Sequence, residues 1–164
     1  MKNLSLKDLT AAAVVAALYT ALSLLSNALG ITFGPLQCRF SEALTLLPML
    51  LPSSVWGLTA GCLLTNILSP YGLPDLIVGT FATFLAAKLT LRCRNPFLGA
   101  LPPVLCNAVL VGAMLAFQQT GLSAAFPAVF AYQALTVGFG QAVACYALGI
   151  PLLRMLKKHL SRLS

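Results

Sequence analysis

The sequence predicts an all-α integral membrane protein: a compact bundle of six transmembrane helices, forming a single membrane domain over residues 1–164, with N- and C-termini cytoplasmic. Three observations carry this. The 164 residues are 59% apolar and only 8% charged, whereas a soluble domain carries about 25% charged residues; too little polar surface remains to cover a globule in water. The apolar residues fall in long runs punctuated by Pro, Gly and charge. Lys and Arg collect at places spaced as alternate loops. Helix is forced rather than merely favoured, since backbone groups in lipid must pair internally and the runs are too long and too non-alternating for barrel strands.

The first element is 8–29, a nearly uncharged run long enough to cross a core of about 30 Å. Asp8 sits in its first turn, where a carboxylate complements the helix dipole. Lys2 and Lys7 precede the run and Ser26-Asn27-Ala28 faintly resembles a cleavage site, but the run exceeds the apolar core of a signal peptide, so it is read as a retained span. The second element, 41–52, ends at Pro52, and the third, 53–69, closes at Ser69-Pro70. Pro52-Ser53-Ser54 reads as a tight turn between two helices or a kink inside one. The turn is preferred, because one segment over 41–69 is too long for an upright span. The fourth element, 75–91, follows Pro74; the fifth is 97–118; the sixth, 126–153, is the longest.

Nine of the ten basic residues cluster at the start (Lys2, Lys7), after the fourth element (Lys88, Arg92, Arg94) and at the end (Arg154, Lys157, Lys158, Arg162). With six helices these places share one face, which the positive-inside rule makes cytoplasmic. The net charge of +7 is therefore a topology signal. It does not mark a nucleic-acid site, since the basic residues form no groove with interleaved aromatics; the basic tail suits anionic lipid heads. Cys38, Cys62, Cys93, Cys106 and Cys145 are odd in number, contain no C-x-x-C and read as small buried side chains. His159 is alone in the basic tail, too little for a metal site. No H-E-x-x-H, G-x-S-x-G or G-x-x-x-x-G-K-[ST] pattern occurs, so nothing here suggests a metal, a hydrolytic nucleophile or ATP hydrolysis by this chain.

Polar residues at membrane depth are costly and each needs a reason. Glu42 and Asp75 begin the second and fourth helices, both at the outer face of the six-helix topology, and the tenth basic residue, Arg39, precedes Glu42 by three. The plain structural alternative is an Arg39–Glu42 clip, with Ser41 as N-cap. The functional reading is an outward pocket lined by Gln37, Arg39 and Glu42, joined by Asn66, Asp75, the mid-helix Asn107 and the deeper Gln141, with Gln118, Gln119 and Gln133 toward the outer side. Carboxylates and amides without a nucleophile beside a base suit recognition of a flat, hydrogen-bonding ligand and suit bond cleavage poorly. Ala13, Ala17 and Ala21 recur every four residues on the first helix, and Gly57-x-x-x-Gly61 on the third. Such stripes let another helix approach closely, within the bundle or from a partner.

The run Gln37-x-Arg39-x-Ser41-Glu42-Ala43-Leu44-Thr45-Leu46-Leu47-Pro48 resembles the signature of the QueT family. So do Gly57-x-x-x-Gly61-Cys62-x-x-x-Asn66, Gly72-x-x-Asp75, Gly79-x-x-Ala82-Thr83, Pro102-Pro103-Val104-x-x-Asn107-Ala108 and Cys145-Tyr146-x-Leu148-Gly149, in order along nearly the whole chain. The resemblance implies a substrate-binding S component of an energy-coupling factor (ECF) transporter in the bacterial cytoplasmic membrane. Such a subunit captures a queuosine precursor, a 7-deazaguanine such as the 7-cyano or 7-aminomethyl form, or queuine. It implies partners: a transmembrane coupling protein and two ATPase subunits, which use the ATP, so that this chain needs no cofactor. S components dock through small residues of helix 1, which fits Ala13, Ala17 and Ala21, and transport involves tipping within the membrane. The chain departs from the family where Gly138-Phe139-Gly140-Gln141 stands for the usual Gly-x-Gly-Glu. A lost carboxylate there alters the ligand charge the pocket prefers. An S component for another small heterocycle or vitamin, a non-transporting membrane scaffold and an intramembrane enzyme are the competing readings; the last lacks any catalytic cluster.

Overall fold

The computed structural model describes residues 5–32 and 38–160. Six helical elements follow one another: α1 (Leu6–Ala28), α2 (Phe40–Met49), α3 (Ser54–Asn66), α4 (Leu73–Thr90), α5 (Pro96–Thr120) and α6 (Phe126–His159), with no strand among the described residues. Ser5 caps α1 in a reciprocal capping box with Asp8, which satisfies first-turn donors and accounts for that acid without a functional role.

Four of these helices, α1, α4, α5 and α6, are long and apolar enough to cross a membrane. The other two are shorter than the sequence reading of six full spans. α3 has 13 residues, about 20 Å of rise. α2 is a 3-10 helix of 10 residues, not an α-helix over 41–52, and also rises about 20 Å. α2 is buried from Ser41 to Pro48, so its length is set by packing against the other helices and not by the lipid thickness. The chain turns after it: Leu51 and Ser54 donate to the carbonyls of Leu47 and Leu51 at 2.8 and 3.0 Å, and α3 runs back beside α1. The Pro52 segment is thus a turn.

Close approach decides how α1 and α3 lie together. A Cβ placed on Gly57 would stand 2.5 Å from the Ala12 carbonyl oxygen, and one on Gly61 would stand 2.8 Å from Tyr19 Cβ. The inward row of α1 is therefore Ala12, Val15, Tyr19, Ser23 and Ser26, while Ala13, Ala17 and Ala21 face outward and are exposed. The glycine stripe serves internal packing; the alanine stripe does not.

Successive elements alternate in direction. Phe40 at the start of α2 donates to Ser26 near the end of α1 at 2.9 Å, Lys88 near the end of α4 lies over Trp56 at the start of α3, and Arg154 near the end of α6 lies over Phe97 at the start of α5. The basic ends of α4 and α6 thereby gather at the end of the bundle where α1 begins.

Candidate functional site

The polar residues converge where α2 meets α3, α4, α5 and α6. α2 builds one wall. Its threefold period aligns Glu42 and Thr45 in one row, and Gln141 and Cys145, four apart on α6, meet that row: Gln141 Nε2 donates to Glu42 Oε2 at 2.7 Å, and Thr45 Oγ1 lies 3.4 Å from Cys145 Sγ. Gly149, one turn further, lets α6 reach the backbone of Ala43, since a Cβ there would stand 3.0 Å from its carbonyl oxygen. Two π-helical stretches, Asn107–Val111 in α5 and Val143–Gly149 in α6, flank the site. Such bulges rotate the side chains beyond them and recur at functional sites.

Glu42 is held from two sides. Tyr19 of α1, fully buried, donates its hydroxyl to Oε1, and Gln141 supplies the donor to Oε2. Both carboxyl oxygens of Glu42 are thereby engaged. Ser41, expected as the N-cap of α2, instead bonds Ser23 of α1 at 2.7 Å.

Opposite lies an ion-paired cluster. Arg39 Nη2 stands 3.7 Å from Asp75 Oδ2, and its Nη1 donates to Asn66 Oδ1 at 3.1 Å. Ser69 donates to the same Asp75 oxygen at 2.6 Å, and Asn66 Nδ2 donates to the Asp75 carbonyl at 3.1 Å. Arg39 thus reaches across to pair with Asp75 of α4, and Glu42 takes hydrogen bonds from α1 and α6.

Between the two groups is a small polar cavity of about 30 Å³. Arg39, Glu42, Asp75, Asn107 and Gln141 line it, with Cys62, Gly79, Thr83, Val111 and Val137. Asn66 stands behind the lining and orients Arg39 and Asp75. Gln37 lies outside the described residues. Gln118 donates to the Tyr71 carbonyl at 2.9 Å rather than lining the cavity.

Several members escape sequence reasoning. Tyr19 had a signal available: a phenol in an otherwise aliphatic span needs a partner. Thr83 and Cys62, joined at 3.2 Å, and Gly79, where a Cβ would press on Asp75 Oδ1 at 2.6 Å, carry no signal outside their motifs.

The sequence pattern of the QueT transporter family matches residues 9–158. The chain belongs to the QueT transporter family. Of QueT relatives, the "Queuosine precursor transporter QueT" of Lactococcus lactis subsp. cremoris (strain MG1363) is 34% identical over 89 residues, 54% of this chain and 52% of that protein; the matched stretch spans about half the length of this curated relative. No solved structure matches the chain. Membership places the chain in a transporter family, in keeping with its four helices long and apolar enough to cross a membrane.

Proposed function

We propose that this chain is the substrate-binding S component of an ECF transporter, a single six-helix membrane domain that captures a queuosine precursor, a 7-deazaguanine, in the cavity between α2, α4, α5 and α6. The observation that carries the reading is the Tyr19–Glu42–Gln141 arrangement. It holds a carboxylate inside an apolar bundle with lone pairs left over, which suits the paired N–H groups of a guanine-type edge, while Arg39 and the amides suit its carbonyl. Family membership and the name of the Lactococcus relative support the substrate class.

In this reading the basic end of the bundle, with both chain termini, is cytoplasmic by the positive-inside rule, and the cavity opens toward the outer face of the bacterial cytoplasmic membrane. The exposed Ala13, Ala17 and Ala21 stripe of α1 is the docking face for a transmembrane coupling protein, which joins two ATPase subunits; ATP is consumed there, and this chain contributes capture. α1 links site and stripe physically: Tyr19 reaches Glu42 from its inward face while the alanines stand on its outward one.

Uptake of labelled 7-deazaguanine precursors into cells lacking queuosine synthesis tests the reading. Uptake is expected with the chain and its partners and lost without the chain. Equal uptake in its absence sinks the proposal and favours a scaffold role.

A further inference from the structure

α3 and α4 leave an open apolar groove of about 410 Å³ between them. Thr59 and Leu63 of α3 form one side, and Ile77, Phe81 and Phe84 of α4 the other; Leu63, Ile77 and Phe81 are exposed. One turn on, the α3 row reaches Trp56 and the α4 row reaches Lys88. These two close one end of the groove. The Lys88 ammonium lies 5.6 Å from the Trp56 ring centroid and 5.5 Å from that of Phe84, and the two rings stand 5.8 Å apart. The groove shares no lining residue with the polar cavity.

An occupant has to suit both an apolar trough and a cation at its end. The chain has three acids, and none serves Lys88. Glu42 and Asp75 are buried in the site, and Asp8 is closed in its capping box with Ser5. An apolar helix, from a second copy or another protein, would cover the ammonium without neutralising it, which is costly in a membrane. A phospholipid brings a chain for the trough and a phosphate for the ammonium. The length also fits. Leu76, at the far end of the lining, is about 18 Å of helix rise from Lys88, close to one leaflet of a hydrocarbon core about 30 Å thick. Trp and Lys are side chains of the membrane interface.

From the groove and its cation we infer a binding site for an anionic phospholipid in the leaflet at the basic end of the bundle. One acyl chain lies between α3 and α4, and the headgroup phosphate meets Lys88. A net-negative headgroup is favoured over a zwitterionic one, which brings its own ammonium. The inference does not depend on what the polar cavity binds.

Trp56 is the single tryptophan of the chain and is exposed beside the groove, so its fluorescence reports on the occupant. The full chain is reconstituted in phosphatidylcholine vesicles containing either phosphatidylglycerol or phosphatidylcholine with brominated acyl chains, which quench tryptophan on contact. Brominated phosphatidylglycerol should quench with a relative affinity about fivefold above brominated phosphatidylcholine, the size of one lysine's attraction for anionic lipid. Lys88→Gln should bring the ratio toward one, and Thr59→Phe, which fills the trough, should lower it. Lys157→Gln removes an equal charge outside the groove lining and should leave the ratio intact. Each variant is compared as protein that melts like the parent. Equal quenching by the two lipids in the parent overturns the inference. So does a preference that survives Lys88→Gln or Thr59→Phe, or one that falls equally in Lys157→Gln, which marks only a general attraction to a basic surface. Absence of quenching by either lipid shows that protein covers the groove and overturns the inference as well.

Discussion

Replacing Tyr19 with Phe removes one hydroxyl and leaves the ring. Tyr19 is fully buried, packed against Gly61 of α3, and its hydroxyl donates to Glu42 Oε1. No cavity forms, so the transfer and void terms of a core truncation are absent. What is lost is a hydrogen bond to a buried carboxyl group, worth about 1–3 kcal/mol. For a chain of this length that corresponds to a fall in melting temperature of about 2–12 °C, at roughly 2–4 °C per kcal/mol. Thermal melting in detergent followed by circular dichroism reads it directly. A double-mutant cycle with Glu42→Gln separates the pair from its surroundings: once the carboxyl group is replaced, the Phe substitution should cost less, with a coupling of about 1–3 kcal/mol. A Tyr19→Phe protein that melts within about 1 °C of the parent, with additive effects in the cycle, would refute the claim that α1 holds the carboxylate of the site.

Three further predictions follow from close approaches and exposure. Gly79→Ala places a Cβ 2.6 Å from Asp75 Oδ1 and 2.7 Å from Asn66 Nδ2; a helix-propensity gain of about 1 kcal/mol offsets part of an overpacking cost of about 1–3 kcal/mol, so melting changes by only a few degrees while deazaguanine affinity, measured by calorimetry, drops about tenfold or more. Gly61→Val drives a side chain into Tyr19 Cβ at 2.8 Å and the Ala16 carbonyl oxygen at 2.9 Å; backbone cannot yield as a flexible side chain does, and the melting curve should show a loss of roughly 3 kcal/mol. Ala17→Leu, on the exposed face of α1, should leave melting within about 0.5 kcal/mol of the parent and abolish copurification with the coupling protein; undiminished copurification would remove α1 from the proposed docking face.

Much of the site was legible because polar residues in so apolar a chain are few. Arg39, Glu42, Asp75, Asn107 and Gln141 stand out by cost alone, and all five line the cavity. The pairing among them was not legible. Sequence proximity favours Arg39 with Glu42, three residues apart; the fold instead joins Arg39 to Asp75, Glu42 to Tyr19 and Gln141 to Glu42, across separations of 23 and 99 residues for the last two. Nor could the row of α1 that turns inward be read. In a soluble helix the apolar stripe names the buried face, but a helix apolar on every side presents no such contrast.

The sequence by itself determined that the chain is helical and meets lipid, where its turns fall and which end carries the positive charge, because composition, proline positions and basic clusters act locally and additively. Only the tertiary structure decided that α2 is a short, buried 3-10 helix, that Ala12 and Tyr19 face in while Ala13, Ala17 and Ala21 face out, and that Tyr19 belongs to the site. These follow from which backbones approach closely enough to exclude a side chain, as at Gly57, Gly61 and Gly149. Steric contact between helices distant in sequence sets that, and a sequence of nearly uniform hydropathy leaves the choice open until the helices pack.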